Sequence, residues 1–115
     1  YTTETGVSGN IVNAPLPPNA GSDEFREAMQ RIIFPDLNNF DPEFLFISAG
    51  FDAHTDDPLA SLNFTDDDYH WATEQLCSVA AKRCDGRIVS TLEGGYNLEA
   101  LAQSAAAHVQ ALMAS

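Results

Sequence analysis

The chain has 115 residues, 44% of them hydrophobic, with 17 acidic against 5 basic side chains and a formal charge of -12. That length allows one domain with a modest core, burying about 65% of its unfolded surface. A charge of this sign repels nucleic-acid phosphate and anionic lipid, so neither nucleic acid nor a membrane is expected as a partner, while cationic ligands such as polyamines or lysine-rich peptides fit the field. An acidic surface also serves plain solubility, so charge alone decides little. No apolar run approaches the roughly 20 residues that cross a bilayer. The first residues do not read as a signal peptide, and with no initiator Met before Tyr1 the chain reads as a piece of something longer. Cys77 and Cys84 fall on one predicted helix, about 10 Å apart along its axis, too far to bridge, so a reducing, cytoplasmic setting is expected.

Residues 10–16 read as a short extended strand, ended by Pro15, Pro17 and Pro18 because proline supplies no ladder donor. Asn19-Ala20-Gly21 turns the chain, and Ser22 is the expected N-cap of an amphipathic helix. Asp23 and Glu24 suit the positive end of its dipole, and Phe25, Ala28, Met29, Ile32 and Ile33 recur at spacings of three and four. The stripe goes on to Leu37 and Phe40, but Pro35 removes one backbone bond, so a kink or an early end is expected near Phe34.

Asp41-Pro42 leads into Phe44-Leu45-Phe46-Ile47, a continuous apolar run typical of a central parallel strand covered on both faces. Thr65 then begins a second helix with three aspartates in its first turn, and Thr65 with Asp68 has the spacing of a capping box. Its expected buried stripe is Tyr69, Ala72, Leu76 and Ala80, ending near Gly86. Residues 87–92 are the third expected strand. Asn97 caps a last helix with the stripe Leu98, Leu101, Ala105, Val109 and Leu112. This alternation of strand and helix predicts an α/β fold, a parallel sheet with helices on both faces. Right-handed crossovers return the chain to the same end of the sheet each time. The loops after the second and third strands therefore open on one edge, where chemistry collects in such folds.

The first of these loops carries Asp52, His54, Asp56 and Asp57. A carboxylate beside an imidazole is credible chemistry for zinc, and in an extended loop Asp52 and His54 would point the same way. Yet a zinc site needs three or four ligands, and an acidic loop serves equally as a set of turn-forming and capping groups. In the second loop Gly94 and Gly95 permit close approach of backbone to a ligand, which puts Tyr96 beside a pocket; the plainer alternative is a buried tyrosine with one hydrogen bond. A phosphate site at that helix N-terminus is a weaker third reading, since no Lys or Arg stands in the loop.

Several linked segments carry a family resemblance: Ser48-Ala49-Gly50-Phe51-Asp52-Ala53-His54, Asp57-Pro58-Leu59, Leu62-Asn63, Leu92-Glu93-Gly94-Gly95-Tyr96-Asn97-Leu98 and, earlier, Asn13-Ala14-Pro15-Leu16-Pro17-Pro18. Together they resemble the C-terminal part of the histone deacetylase family, closest to its class II and bacterial members, which include acetylpolyamine amidohydrolases. The resemblance covers nearly the whole chain, residues 1–115 as a single domain. It implies an arginase-like three-layer α/β fold and a zinc (Zn2+) hydrolase that removes acetyl groups from lysine peptides or polyamines. It makes Asp52 a zinc ligand, Tyr96 the catalytic donor to the oxyanion, and Gly94, Gly95 and Leu59 parts of the substrate channel. The family's remaining ligands, on an Asp-x-His segment, and its His-His pair have no counterpart here, and Asp52-Ala53-His54 is not that segment. His54 is then a loop residue, and His70 and His108 lie on helices away from the loop edge.

The expected function is therefore the C-terminal portion of a zinc-dependent deacetylase, inactive as an isolated chain. The alternative is a non-catalytic interaction domain on the same scaffold that holds a basic partner. A sheet cut from a larger one also exposes an apolar edge, so self-association of the isolated chain is expected.

Overall fold

In the computed structural model, which describes Gly6 and residues 9–57 and 61–115, the elements follow in the order α1 (Ser22–Ala28), a π-helical turn (Met29–Ile33), α2 (Phe34–Phe40), β1 (Leu45–Ala49), α3 (Asp66–Arg83), β2 (Ile88–Leu92) and α4 (Leu98–Met113). Gly21, not Ser22, stands at the first N-cap. The Ser22 hydroxyl instead donates to the Asp68 carboxylate at 2.6 Å.

Pro35 does not end the first helix. The preceding turn widens, so that the Phe34 N–H bonds the carbonyl of Met29, five residues back. Pro35 then falls in the first turn of α2, where a missing N–H breaks no bond, and the helix runs on to Phe40. Asp41 stops it in a left-handed conformation, φ 57°, with Pro42 behind it.

β1 and β2 pair in parallel, from Leu45 opposite Ile88 to Ala49 opposite Leu92. Leu45, Ile47, Ala49 and Ile88 face the helices and pack into two apolar clusters: Leu45 with Ala80 and Cys84, and Ala49 with Phe51, Phe64 and Tyr69. Two expectations fail here. Residues 10–16 join no ladder among the described residues and are largely exposed, since the one sheet described consists of β1 and β2 alone. The described residues also cover only one face of β1: Phe46 is 74% exposed on the other, with Phe44 stacked on it at 4.7 Å between ring centres.

Helix α3 follows expectation. Thr65 is its N-cap, Asp68 closes the capping box by accepting the Thr65 N–H at 2.9 Å, and Tyr69, Ala72 and Ala80 are buried. Asp68 is fully buried and also accepts from Arg26 at 3.2 Å, so α1 and α3 are locked together. Burial alone would raise its pKa, but the bonds from Ser22, the Thr65 N–H, Arg26 and the Thr65 hydroxyl outweigh that and hold it below the usual carboxylate value.

Helix α4 follows expectation in part. Asn97 caps it, accepting the Ala100 N–H at 2.9 Å, and Leu101 and Ala105 pack against the core, but the fully buried positions are Ala100, Ser104, His108 and Ala111, while Leu98 is 81% exposed and Val109 exposed. Small side chains let α4 lie close to α3, and His108 is tolerated inside because both ring nitrogens are bonded. Its Nδ1 lies 2.7 Å from the Thr73 hydroxyl and its Nε2 2.8 Å from the Ser90 hydroxyl. No helix among the described residues is long and apolar enough to cross a membrane.

Candidate functional site

Because the strands are parallel and end opposite each other, the two loops leave from one edge, as expected. The backbones stay paired beyond the strands: the Glu93 N–H donates to Ala49 O at 2.9 Å, and the Phe51 N–H to Gly94 O at 2.7 Å. Phe51 is buried, its ring edge-on to Tyr69 at 5.0 Å and to His108 at 5.8 Å. That anchor fixes the loop from below and leaves Asp52 on its outer side, exposed.

The glycines of the second loop make room for this carboxylate. A Cβ at Gly94 would stand 3.2 Å from Asp52 Oδ2 and 3.3 Å from its Cγ, and one at Gly50 would stand 3.4 Å from Oδ1. Asp52 thus rests directly against the backbone that leads to Tyr96. Gly95 is at φ 140°, so the chain geometry favours glycine, and a Cβ there would also displace Leu101 Cδ1, 2.9 Å away. The space a side chain would fill at these glycines is held by Asp52 and Leu101. Leu59 lies outside the described residues.

Asp52 and His54 do not share a direction. The loop turns, with the His54 N–H donating to Phe51 O at 3.4 Å, and His54 is 4% exposed while Asp52 faces outward. The His54 ring is engaged below: Nδ1 accepts from the Asp56 N–H at 3.1 Å, and Nε2 lies 3.8 Å from the Asp66 carboxylate. It is a loop-shaping residue. His70 pairs with Glu74 at 3.3 Å on the surface of α3.

Tyr96 is 56% exposed, not a buried tyrosine satisfying one bond. The buried phenol is Tyr69, whose pKa is driven well above its ordinary value by burial and then by the negative field of Asp52. Of the two phenols, only Tyr96 is open to an incoming molecule.

Asp57, one of the acidic-loop residues expected as turn-forming or capping groups, ties the two loops together. Its buried carboxylate accepts the Tyr96 N–H at 2.6 Å and the Asn97 N–H at 3.3 Å. Neither its place in an acidic loop nor the Asp57-Pro58-Leu59 segment announces backbone partners 39 residues away. A carboxylate already occupies the N-terminus of α4, which removes the phosphate-site reading: an anion would meet like charge there.

Asp52 makes no hydrogen bond or ion pair among the described residues, so its charge is available to an added cation. No group of three His, Cys, Asp or Glu side chains that could hold a metal occurs among the described residues. A lone oxygen donor fits zinc as one ligand of a larger set and cannot by itself complete the site.

Residues 1–112 match the histone deacetylase domain. The chain is 47% identical over 111 residues to type-2 histone deacetylase 1 of Dictyostelium discoideum, covering 96% of this chain and 7% of that protein. It is 38% identical over 89 residues to a histone deacetylase-like amidohydrolase of Pseudomonas aeruginosa, covering 77% of this chain and 23% of that one. The crystal structure of the HDA15 HD domain superposes with a TM-score of 0.82 at 35% identity, over 90% of this chain and 28% of that chain. In each case the chain spans less than a third of its relative.

Proposed function

This chain belongs to the histone deacetylase family, and on that premise we propose that it forms the C-terminal portion of a zinc-dependent deacetylase domain hydrolysing acetyl-lysine or acetylpolyamine amides. The observation that carries the proposal is the seating of the Asp52 carboxylate, without a hydrogen-bond partner among the described residues, against Gly94, two residues from the exposed Tyr96. A carboxylate and a phenol are thus carried by adjoining loops at the carboxyl edge of a parallel sheet, the place where α/β folds put their chemistry.

In this role Asp52 supplies one oxygen ligand, and the remaining ligands and the general base come from residues outside this chain. Zinc, when bound, polarises the acyl carbonyl. The Tyr96 hydroxyl donates to the oxygen of that carbonyl as negative charge builds on it, and because this charge is largest in the transition state the bond favours the reaction over mere binding. Gly94 and Gly95, on the loop of Tyr96, border the path of the aminoalkyl chain in this reading. Acidic surface charge favours the cationic surroundings of acetylated lysines and polyamines. By itself the 115-residue chain has no turnover, since one carboxylate does not hold zinc.

The test is made in the complete protein that contains this chain. Asp52→Ala removes the zinc, measured by elemental analysis after dialysis, and abolishes release of acetate from an acetyl-lysine peptide. Retention of one zinc per active site in that variant rejects Asp52 as a ligand.

A further inference from the structure

An exposed phenol on a loop is a poor donor unless something holds it in place, because misplacement of a reacting group by about 1 Å lowers rates roughly 100-fold. Tyr96 has an exposed ring, and its own backbone is the part that is fixed. The fixing group is Asp57. It is 6% exposed, lies in the loop that carries Asp52, and spends Oδ2 on two consecutive N–H groups of the other loop, Tyr96 at 2.6 Å and Asn97 at 3.3 Å. Those N–H groups precede the first turn of α4, where unpaired donors and the helix dipole favour a negative charge. A buried carboxylate is stable only while its donors point at it. The seat therefore fixes the peptide plane from which the Tyr96 side chain departs, and fixes it relative to the loop of Asp52.

We propose that Asp57 is a positioning residue that sets the place of the Tyr96 hydroxyl relative to Asp52 without touching substrate. This rests on the reading of Tyr96 as the oxyanion donor.

The experiment uses the complete protein, an acetyl-lysine peptide and the variants Asp57→Asn, Asp57→Ala and Tyr96→Phe, alone and combined. Asp57→Asn keeps one oxygen able to accept both N–H groups, as Oδ2 does now, but removes the charge that strengthens those bonds, so it decides the matter if Asp57→Ala does not fold. The expected result is a kcat lowered about tenfold by Asp57→Asn and about 100-fold by Asp57→Ala, on the scale of a misplaced group. KM and zinc content stay unchanged, and neither Asp57 variant lowers kcat further once Tyr96 is Phe. Losses that multiply in the combined variants, loss of zinc in place of kcat, or unchanged kcat in both Asp57 variants would overturn the proposal. Wild-type protein without turnover, or Tyr96→Phe with full turnover, would instead reject the deacetylase reading beneath it.

Discussion

Replacing Gly94 by alanine puts one methyl group where Asp52 now rests. Carbon atoms settle about 3.5 to 4.0 Å apart, so a Cβ that would stand 3.3 Å from Asp52 Cγ is too close by about 0.2 Å or more. It would also press on Oδ2 at 3.2 Å. No positive φ is recorded at Gly94, so the backbone itself accepts alanine and the strain falls on the carboxylate. Asp52 is exposed and makes no hydrogen bond among the described residues, so it yields by rotating off the glycine loop. Disturbing the support of a metal ligand typically weakens binding about 10- to 100-fold, equivalent to about 1.4 to 2.7 kcal/mol. Competition against a chelator in the complete protein reads this as a rise in the zinc dissociation constant. Gly50→Ala, whose Cβ would stand 3.4 Å from Oδ1, has a smaller effect, and Gly21→Ala, 3.6 Å from Asn63 O and remote from the site, has none. Gly94→Ala protein that holds zinc as tightly as Gly21→Ala protein would refute the contact reasoning.

Gly95→Ala forces a side chain at φ 140° into Leu101, and is expected to destabilise the fold by about 1 to 3 kcal/mol, read as a lower urea midpoint. His108 has its pKa lowered by burial, so the unfolded chain takes up the proton first. Stability is therefore complete above the ordinary value of 6.5 and declines as pH falls below it, and urea midpoints measured downward from neutral pH lose this component of the slope in His108→Gln; an unchanged slope would remove His108 from the acid response. The bare face with Phe44, Phe46 and Val89 makes the isolated chain self-associate, so its size-exclusion volume shifts with concentration and Phe46→Lys suppresses the shift. A monomer at every concentration would contradict that.

That the two loops leave one edge was readable before any coordinates because two apolar strands joined by a helix admit one handed crossover, which returns both loops to the same end of the sheet. Motif spelling then singled out Asp52 and Tyr96, and the structure brings their loops into hydrogen-bond contact. Asp57 was not readable as a bridge, since its partners are backbone N–H groups that carry no residue signature. The face of α4 was partly misjudged for a related reason. Periodicity ranks Leu98 and Val109 above Ser104 and His108, whereas close packing on α3 and two hydroxyl partners decide in favour of the small and polar residues. At Pro35 the helix is irregular where expected, just before Phe34, but it does not end there, because a one-residue expansion moves the proline to a harmless position.

That Asp52 and Tyr96 serve one metal-dependent site is tested most directly by the complete protein labelled with 3-fluorotyrosine and loaded with paramagnetic cobalt in place of zinc. The fluorine resonance assigned to position 96 by its loss in Tyr96→Phe should be broadened by cobalt and recover in Asp52→Ala protein, which cannot hold the ion. A position-96 resonance that is sharp with cobalt bound would place the phenol away from the metal and contradict the shared site.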